Sequence, residues 1–250
     1  MVSLALQYRY SDFTHKNYRE LLRLAARRFE FRGFENFRDA SDFIIWRHDV
    51  DASMHAARNL ARIEAEEGVR ATYFLSINNP LYNLFEADVA ACVKEIVSLG
   101  HDIGVHFDIS AYPCESLADL ERALLLERNM LQGFFQADVR AFSFHNPDAR
   151  AFGFEEDSYA GMANAYARST RESVSYCSDS NGYWRYRPLD EVLRDRDIQK
   201  LQVLTHPEWW TEDEMSPRER ITYCIEGRAR AAHKRYDEML RRYGRENVGA

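Results

Sequence analysis

The chain has 250 residues, 46% of them hydrophobic, and 33 Lys and Arg against 40 Asp and Glu give a formal net charge of -7. That length buries a substantial core as one large domain or two small ones, so neither metal nor disulfide is needed merely to fold. The composition excludes collagen-like, low-complexity and disordered chains, and the acidic balance with scattered bases argues against a nucleic-acid or anionic-membrane partner.

The opening, MVSLALQYRYSD, has neither a basic n-region nor a small-residue cleavage site, so no signal peptide and a cytoplasmic location are expected. NYRELLRLAARRFEFRGF, at 17–34, reads as a basic aromatic helix. No apolar run approaches the roughly 18 residues of a membrane span. From residue 43 to 206, β-rich runs alternate with amphipathic stretches, the pattern of a βα-repeated, mostly parallel sheet. FIIWRHDV (43–50) is the first strand, and MHAARNLARIEAEEG (54–68) a helix with Ala56, Leu60 and Ile63 on one face and Gly68 as its stop.

ATYFL (71–75) is the second strand, FEADVAACVKEIVSLG (85–100) the second helix, and HDIGVHFD (101–108) the third strand. The last alternates, Ile103, Val105 and Phe107 on one side and Gly104, His106 and Asp108 on the other. SLADLERALLLERNMLQGFF (116–135) opens with a Ser116/Asp119 capping pattern. VRAFSFH (139–145) alternates again and places Ser143 and His145 on one face. SVSYCSD (173–179) and KLQVLTH (200–206) are the remaining strands. A long C-terminal helix at 216–244 starts with Ser216 as cap, Pro217 at its first position and Glu219 in capping-box position. Cys92, Cys114, Cys177 and Cys224 are widely spaced with no CxxC, as expected of reduced thiols.

In an α/β sheet or barrel, the carboxyl ends of the strands gather at one face, and ligands bind there. The residues at those ends are Asp49, Asp51, His106, Asp108, His145, Asp179 and His206. Three histidines with several carboxylates suit zinc, or Fe, Co, Ni or Mn, whereas Mg and Ca prefer oxygen ligands alone. Two carboxylates two residues apart allow one to bind the metal and the other to take a proton, with a nearby His to protonate a leaving group. Each residue alone has a plainer role: Asp51 as a helix cap, His106 and His145 as hydrogen-bonded core histidines. Trp209 and Trp210, in THPEWW, are either a platform for sugar rings or core packing.

Taken together, RHDVD (47–51), GHDIGVHFD (100–108) and LTH (204–206) resemble motifs of the NodB-type polysaccharide deacetylases, carbohydrate esterase family 4. With FSFHNP (142–147), SDSNGYW (178–184) and LTHPEWW (204–210), the chain resembles the polysaccharide deacetylases encoded in O-antigen gene clusters. The motifs run in family order from 47 to 210. The resemblance implies a distorted (β/α) barrel of about seven strands and a single domain over 1–250. Its parts would be an N-terminal helical extension (1–42), a catalytic core (43–210) and a C-terminal helix (211–250).

It further implies Asp49 as general base, His206 as general acid, Asp51 and His106 as ligands of a divalent metal, usually zinc, and loss of acetate from an N-acetylated amino sugar. Two positions depart from the family pattern. The second metal histidine of motif two falls on Ser110, which leaves the third ligand to His145 or, as the alternative, Asp108. The Arg that orients the base is absent from FHNP, and Arg47 is the candidate substitute. Asp179 and Trp184 would stand for the family's Asp and Trp wall pair.

The expected substrate is therefore an amino sugar or a nucleotide- or lipid-linked saccharide. A catalytically silent carbohydrate-binding or assembly protein, or a hydrolase of a non-sugar amide, are the competing readings. The oligomeric state is not legible.

Overall fold

The computed structural model describes residues 7–37 and 40–249. The first six residues, on which the reading of the leader rests in part, lie outside the described residues, as do positions 38 and 39 of the N-terminal extension. No helix among the described residues is long and apolar enough to cross a membrane.

The chain folds as α/β, with one nine-stranded sheet in the order β6-β7-β5-β4-β3-β2-β9-β8 and β1 paired to β2. The strands are β1 (Glu30–Phe31), β2 (Phe43–Val50), β3 (Thr72–Leu75), β4 (Asp102–Phe107), β5 (Val139–Phe144), β6 (Ser158–Tyr159), β7 (Met162–Asn164), β8 (Ser175–Ser178) and β9 (Lys200–Thr205). All neighbours pair in parallel except β6 and β7, which form a small antiparallel hairpin at one edge. The helices are α1 (His15–Ala26), α2 (Met54–Glu66), α3 (Ala87–Ser98), α4 (Leu117–Phe135), α5 (Arg168–Ser173), α6 (Leu189–Arg194) and α7 (Pro217–Arg242). The six strands read from the sequence become nine because β1, β6 and β7 are two or three residues long, too short to show a period of two.

All eight residues of β2 are buried, so its two faces meet different surroundings. Phe43 and Ile45 pack with Phe34, Phe74 and Ala141 on one side, while Ile44, Trp46 and Val50 join the larger core under the helices. A strand alternates its side chains, so Arg47 and Asp49 follow Phe43 and Ile45 to the first side, and His48 goes to the helix side. Gly104 of β4 is needed on the Phe43 side, where an added Cβ would lie 2.5 Å from the Phe74 ring and 2.8 Å from the Ala141 carbonyl oxygen.

On the helix side Glu64 of α2 is fully buried and gathers a polar network. Its carboxylate lies 2.6 Å from His48 Nε2 and accepts from Tyr73 Oη at 2.6 Å and from Tyr18 Oη. Thr205 Oγ1 closes the set at 2.7 Å from His48 Nδ1. The α2 stripe runs through Ala57, Leu60, Ala61 and Glu64, so Ala57 rather than Ala56 faces the core. The N-terminal helix is not peripheral: Tyr18, Leu21, Leu22 and Ala25 of α1 are buried in the main core. Capping boxes at Ser116/Asp119 and Ser216/Glu219 start α4 and α7. Glu86, before α3, ties α7 down by pairing with Arg228 at 2.6 Å and with Arg235.

Candidate metal centre and acid-base site

The carboxyl ends of β2, β4, β5 and β9 open on a cavity of about 640 Å³, lined by Asp49, Asp51, His106, His145, Tyr176, His206 and Trp209 among others. Asp51 stands just past β2, and its carboxylate is free because Ser53, not Asp51, caps α2 by accepting from the Ala56 N–H. His106 is the fifth residue of β4, pointing into the cavity because Ile103, Val105 and Phe107 claim the apolar side. His145 follows the last residue of β5 and shares a face with Ser143.

Three donor atoms meet there. His106 Nε2 is 3.1 Å from Asp51 Oδ1, His145 Nδ1 is 3.4 Å from the same oxygen, and the two ring nitrogens are 3.0 Å apart. Ligands of a tetrahedral ion with bonds of about 2.0–2.1 Å stand about 3.3–3.4 Å from one another; the edges of this triangle, 3.0, 3.1 and 3.4 Å, come within about 0.4 Å of that. His106 Nδ1 is buried without a hydrogen-bond partner, a cost that an outer contact formed on ligation would remove. The donor set, two imidazoles and a carboxylate, suits zinc and its first-row neighbours. Burial alone would raise the Asp51 pKa, but hydrogen bonds from His106 and His145 hold it well below the usual carboxylate range. The Asp51 hydrogen bond in turn lifts His145 above an ordinary histidine. Asp108, the alternative third ligand, is instead a local cap: its Oδ1 accepts from the Ser110 N–H at 2.9 Å and from Ser110 Oγ at 2.7 Å.

On one side of the triangle lies Asp49, 2% exposed. Its Oδ1 is 3.4 Å from Arg47 Nη1, its Oδ2 accepts from Ser143 Oγ at 3.1 Å, and Arg47 Nη1 also donates to Ser143 Oγ at 2.6 Å. Arg47 is fully buried, its guanidinium between the rings of Phe74 and Tyr166, so it sits behind Asp49 rather than on the cavity wall. Asp49 Oδ2 also faces His106 Nδ1 at 3.8 Å.

On the other side is His206, whose Nε2 is 3.9 Å from Asp51 Oδ2. Its Nδ1 lies 2.7 Å from Asp179 Oδ1, and its backbone N–H donates to the same carboxylate at 3.1 Å. Burial would lower the His206 pKa, but the hydrogen bond and charge of Asp179 outweigh it and raise it to about 10. Asp179 is completely buried and also accepts from Trp210 Nε1 at 2.9 Å, so it is an orienting group and not a wall residue.

The tryptophans divide. Trp209 lines the cavity. Trp210 is 1% exposed and packs against the rings of Tyr18 and Phe13, which decides between its two readings for core packing. Trp184 lies outside the cavity, stacked on Phe13 and bonded through Nε1 to Asp12 at 2.9 Å, so the expected wall role is corrected. An aromatic near a motif carries no sign of which way its ring turns, so the sequence could not decide either position. Ser143, which links Arg47 to Asp49, drew no functional reading; its shared parity with His145 was the available signal.

No family model and no curated protein matches the chain. Among solved structures it is similar to a chitin deacetylase from Colletotrichum lindemuthianum, at 16% identity and a TM-score of 0.44, over 74% of this chain and 81% of that one. A family 4 acetyl xylan esterase from Clostridium thermocellum, in complex with a cobalt ion, gives 14% and 0.44 over 81% and 92%. The wild-type form of a CE4 family pseudoenzyme from Bacillus anthracis gives 15% and 0.44, and the chain spans 62% of its length and 75% of its own.

Proposed function

We propose that the chain is a metal-dependent hydrolase that removes an acetyl or other small acyl group from the nitrogen of an amino sugar in a surface-polysaccharide precursor. The observation that carries this reading is the three-donor triangle of Asp51, His106 and His145, flanked by one held carboxylate and one held imidazole. A zinc ion held by those three residues would supply Lewis acidity, lowering the pKa of water and polarising the acyl oxygen.

The chain's own groups do the rest. Asp49, fixed by Ser143 and Arg47, takes the proton of the attacking water. His206 carries its proton at Nε2 at neutral pH, because Asp179 accepts from Nδ1, and delivers it to the departing amine. Trp209 offers an apolar face to a sugar ring. In the motifs shared with O-antigen cluster deacetylases, this points to a nucleotide- or lipid-linked saccharide handled in the cytoplasm.

Release of acetate from N-acetylated nucleotide sugars and lipid-linked saccharides by the zinc-loaded chain tests the reading. Turnover that a chelator abolishes and zinc restores is expected; full activity in the stripped protein would contradict it. The second reading, a silent carbohydrate-binding protein, is favoured by Ser110 standing where the family has a metal histidine. It predicts saccharide binding with no acetate release under any metal.

A further inference from the structure

We infer that Asn146 is a positioning residue that sets the tautomer and tilt of His145, so that Nδ1 rather than Nε2 serves as the third donor. This rests on the metal-site reading above. His106 presents Nε2 to Asp51, but His145 presents Nδ1, 3.4 Å from Asp51 Oδ1, and turns Nε2 away. Asn146 meets that outward nitrogen, its side-chain nitrogen 2.9 Å from His145 Nε2. Adjacent residues rarely aim their side chains at one another, and here the backbone arranges it: Asn146 has φ 43°, the left-handed region that Asn tolerates better than most residues.

The chemistry requires such a neighbour. An imidazole that gives a lone pair from Nδ1 carries its proton on Nε2, and that N–H needs an acceptor to hold the ring. A side-chain amide has both an acceptor and a donor, exchanged by a half-turn. With an ion on Nδ1, the Asn146 carbonyl oxygen accepts from Nε2–H. Without one, the amide N–H donates to Nε2, and Nδ1–H faces both His106 Nε2 at 3.0 Å and Asp51 Oδ1 at 3.4 Å. One side chain therefore serves both states, which suits a ligand delivered from a loop beyond β5 rather than from a strand.

Zinc titration of the purified full chain against a competing chelator tests this, with the melting temperature of the metal-free protein as the folding control. Asn146→Gly keeps the left-handed backbone and loses the amide; about 10- to 100-fold weaker zinc binding is expected. Asn146→Asp keeps an acceptor for Nε2–H and is expected to bind within about threefold of wild type or more tightly. Wild-type affinity in Asn146→Gly, or an equal loss in Asn146→Asp, would overturn the inference while leaving the metal site in place. Failure of the unsubstituted chain to take up zinc would overturn both.

Discussion

His106 Nε2 and His145 Nδ1 stand 3.0 Å apart, with Asp51 Oδ1 3.1 and 3.4 Å from them. Two lone pairs do not face each other at that distance, so a proton or a cation lies between them. The arrangement comes from three separate strand ends, β2, β4 and β5, which the parallel register of the sheet brings level. Under the proposed function the triangle holds the metal, and Asp49 and His206 beside it supply the proton transfers of hydrolysis.

Asp49→Asn separates binding from chemistry. The amide cannot take the water's proton, so kcat should fall on the order of 10²- to 10⁴-fold. Metal content should stay at the wild-type level, since the three donors are untouched. Parallel measurement of turnover and bound metal checks both, and loss of the ion would make Asp49 a ligand instead.

Asp179→Asn removes the charge that fixes and protonates His206. A loss in kcat on the order of 10³-fold is expected, with KM little changed. Trp210→Phe, which deletes only one donor to Asp179, is the comparison and should be far milder. Similar kinetics for the two variants would place the acid elsewhere.

Glu64→Ala should destabilise the fold by about 3–5 kcal/mol, because His48 and two tyrosine hydroxyls would be left buried without their shared acceptor. Denaturant unfolding reads this directly. A loss below about 1 kcal/mol would mean that the network relaxes around the gap.

Glu86 gives a pH signature. Its hydrogen bond to Arg228 and its pairing with Arg235 depress its pKa from 4.5 to about 2. A carboxylate depressed by folding stabilises above its unfolded pKa, and the contribution fades as pH falls through the folded value. Glu86→Gln should therefore be less stable than wild type at pH 6, and the gap should close between about pH 4.5 and 2. Urea midpoints across that window check it, and a gap independent of pH would remove the ion pairs from the account.

Much of the sheet was legible because its central strands are long enough to show burial. FIIWRHDV matches β2 at both ends, and the strands read at 71–75, 101–108, 139–145 and 200–206 agree with the structure to within a residue or so. The strand-end rule then placed Asp51, His106 and His145 at one mouth. What sequence could not supply was the pairing of groups distant in the chain. Asp179 sits behind His206 because β8 pairs with β9, and Glu64 meets His48 because α2 packs under β2; neither contact has a local pattern. Trp210 turns inward because its indole N–H finds Asp179, which a motif match does not encode.

The most direct measurement is anomalous diffraction from a zinc-loaded crystal at the zinc edge. One peak is predicted, about 2.0–2.2 Å from Asp51, His106 Nε2 and His145 Nδ1 together. No peak between these residues, or an ion held by only one of them, would contradict the account.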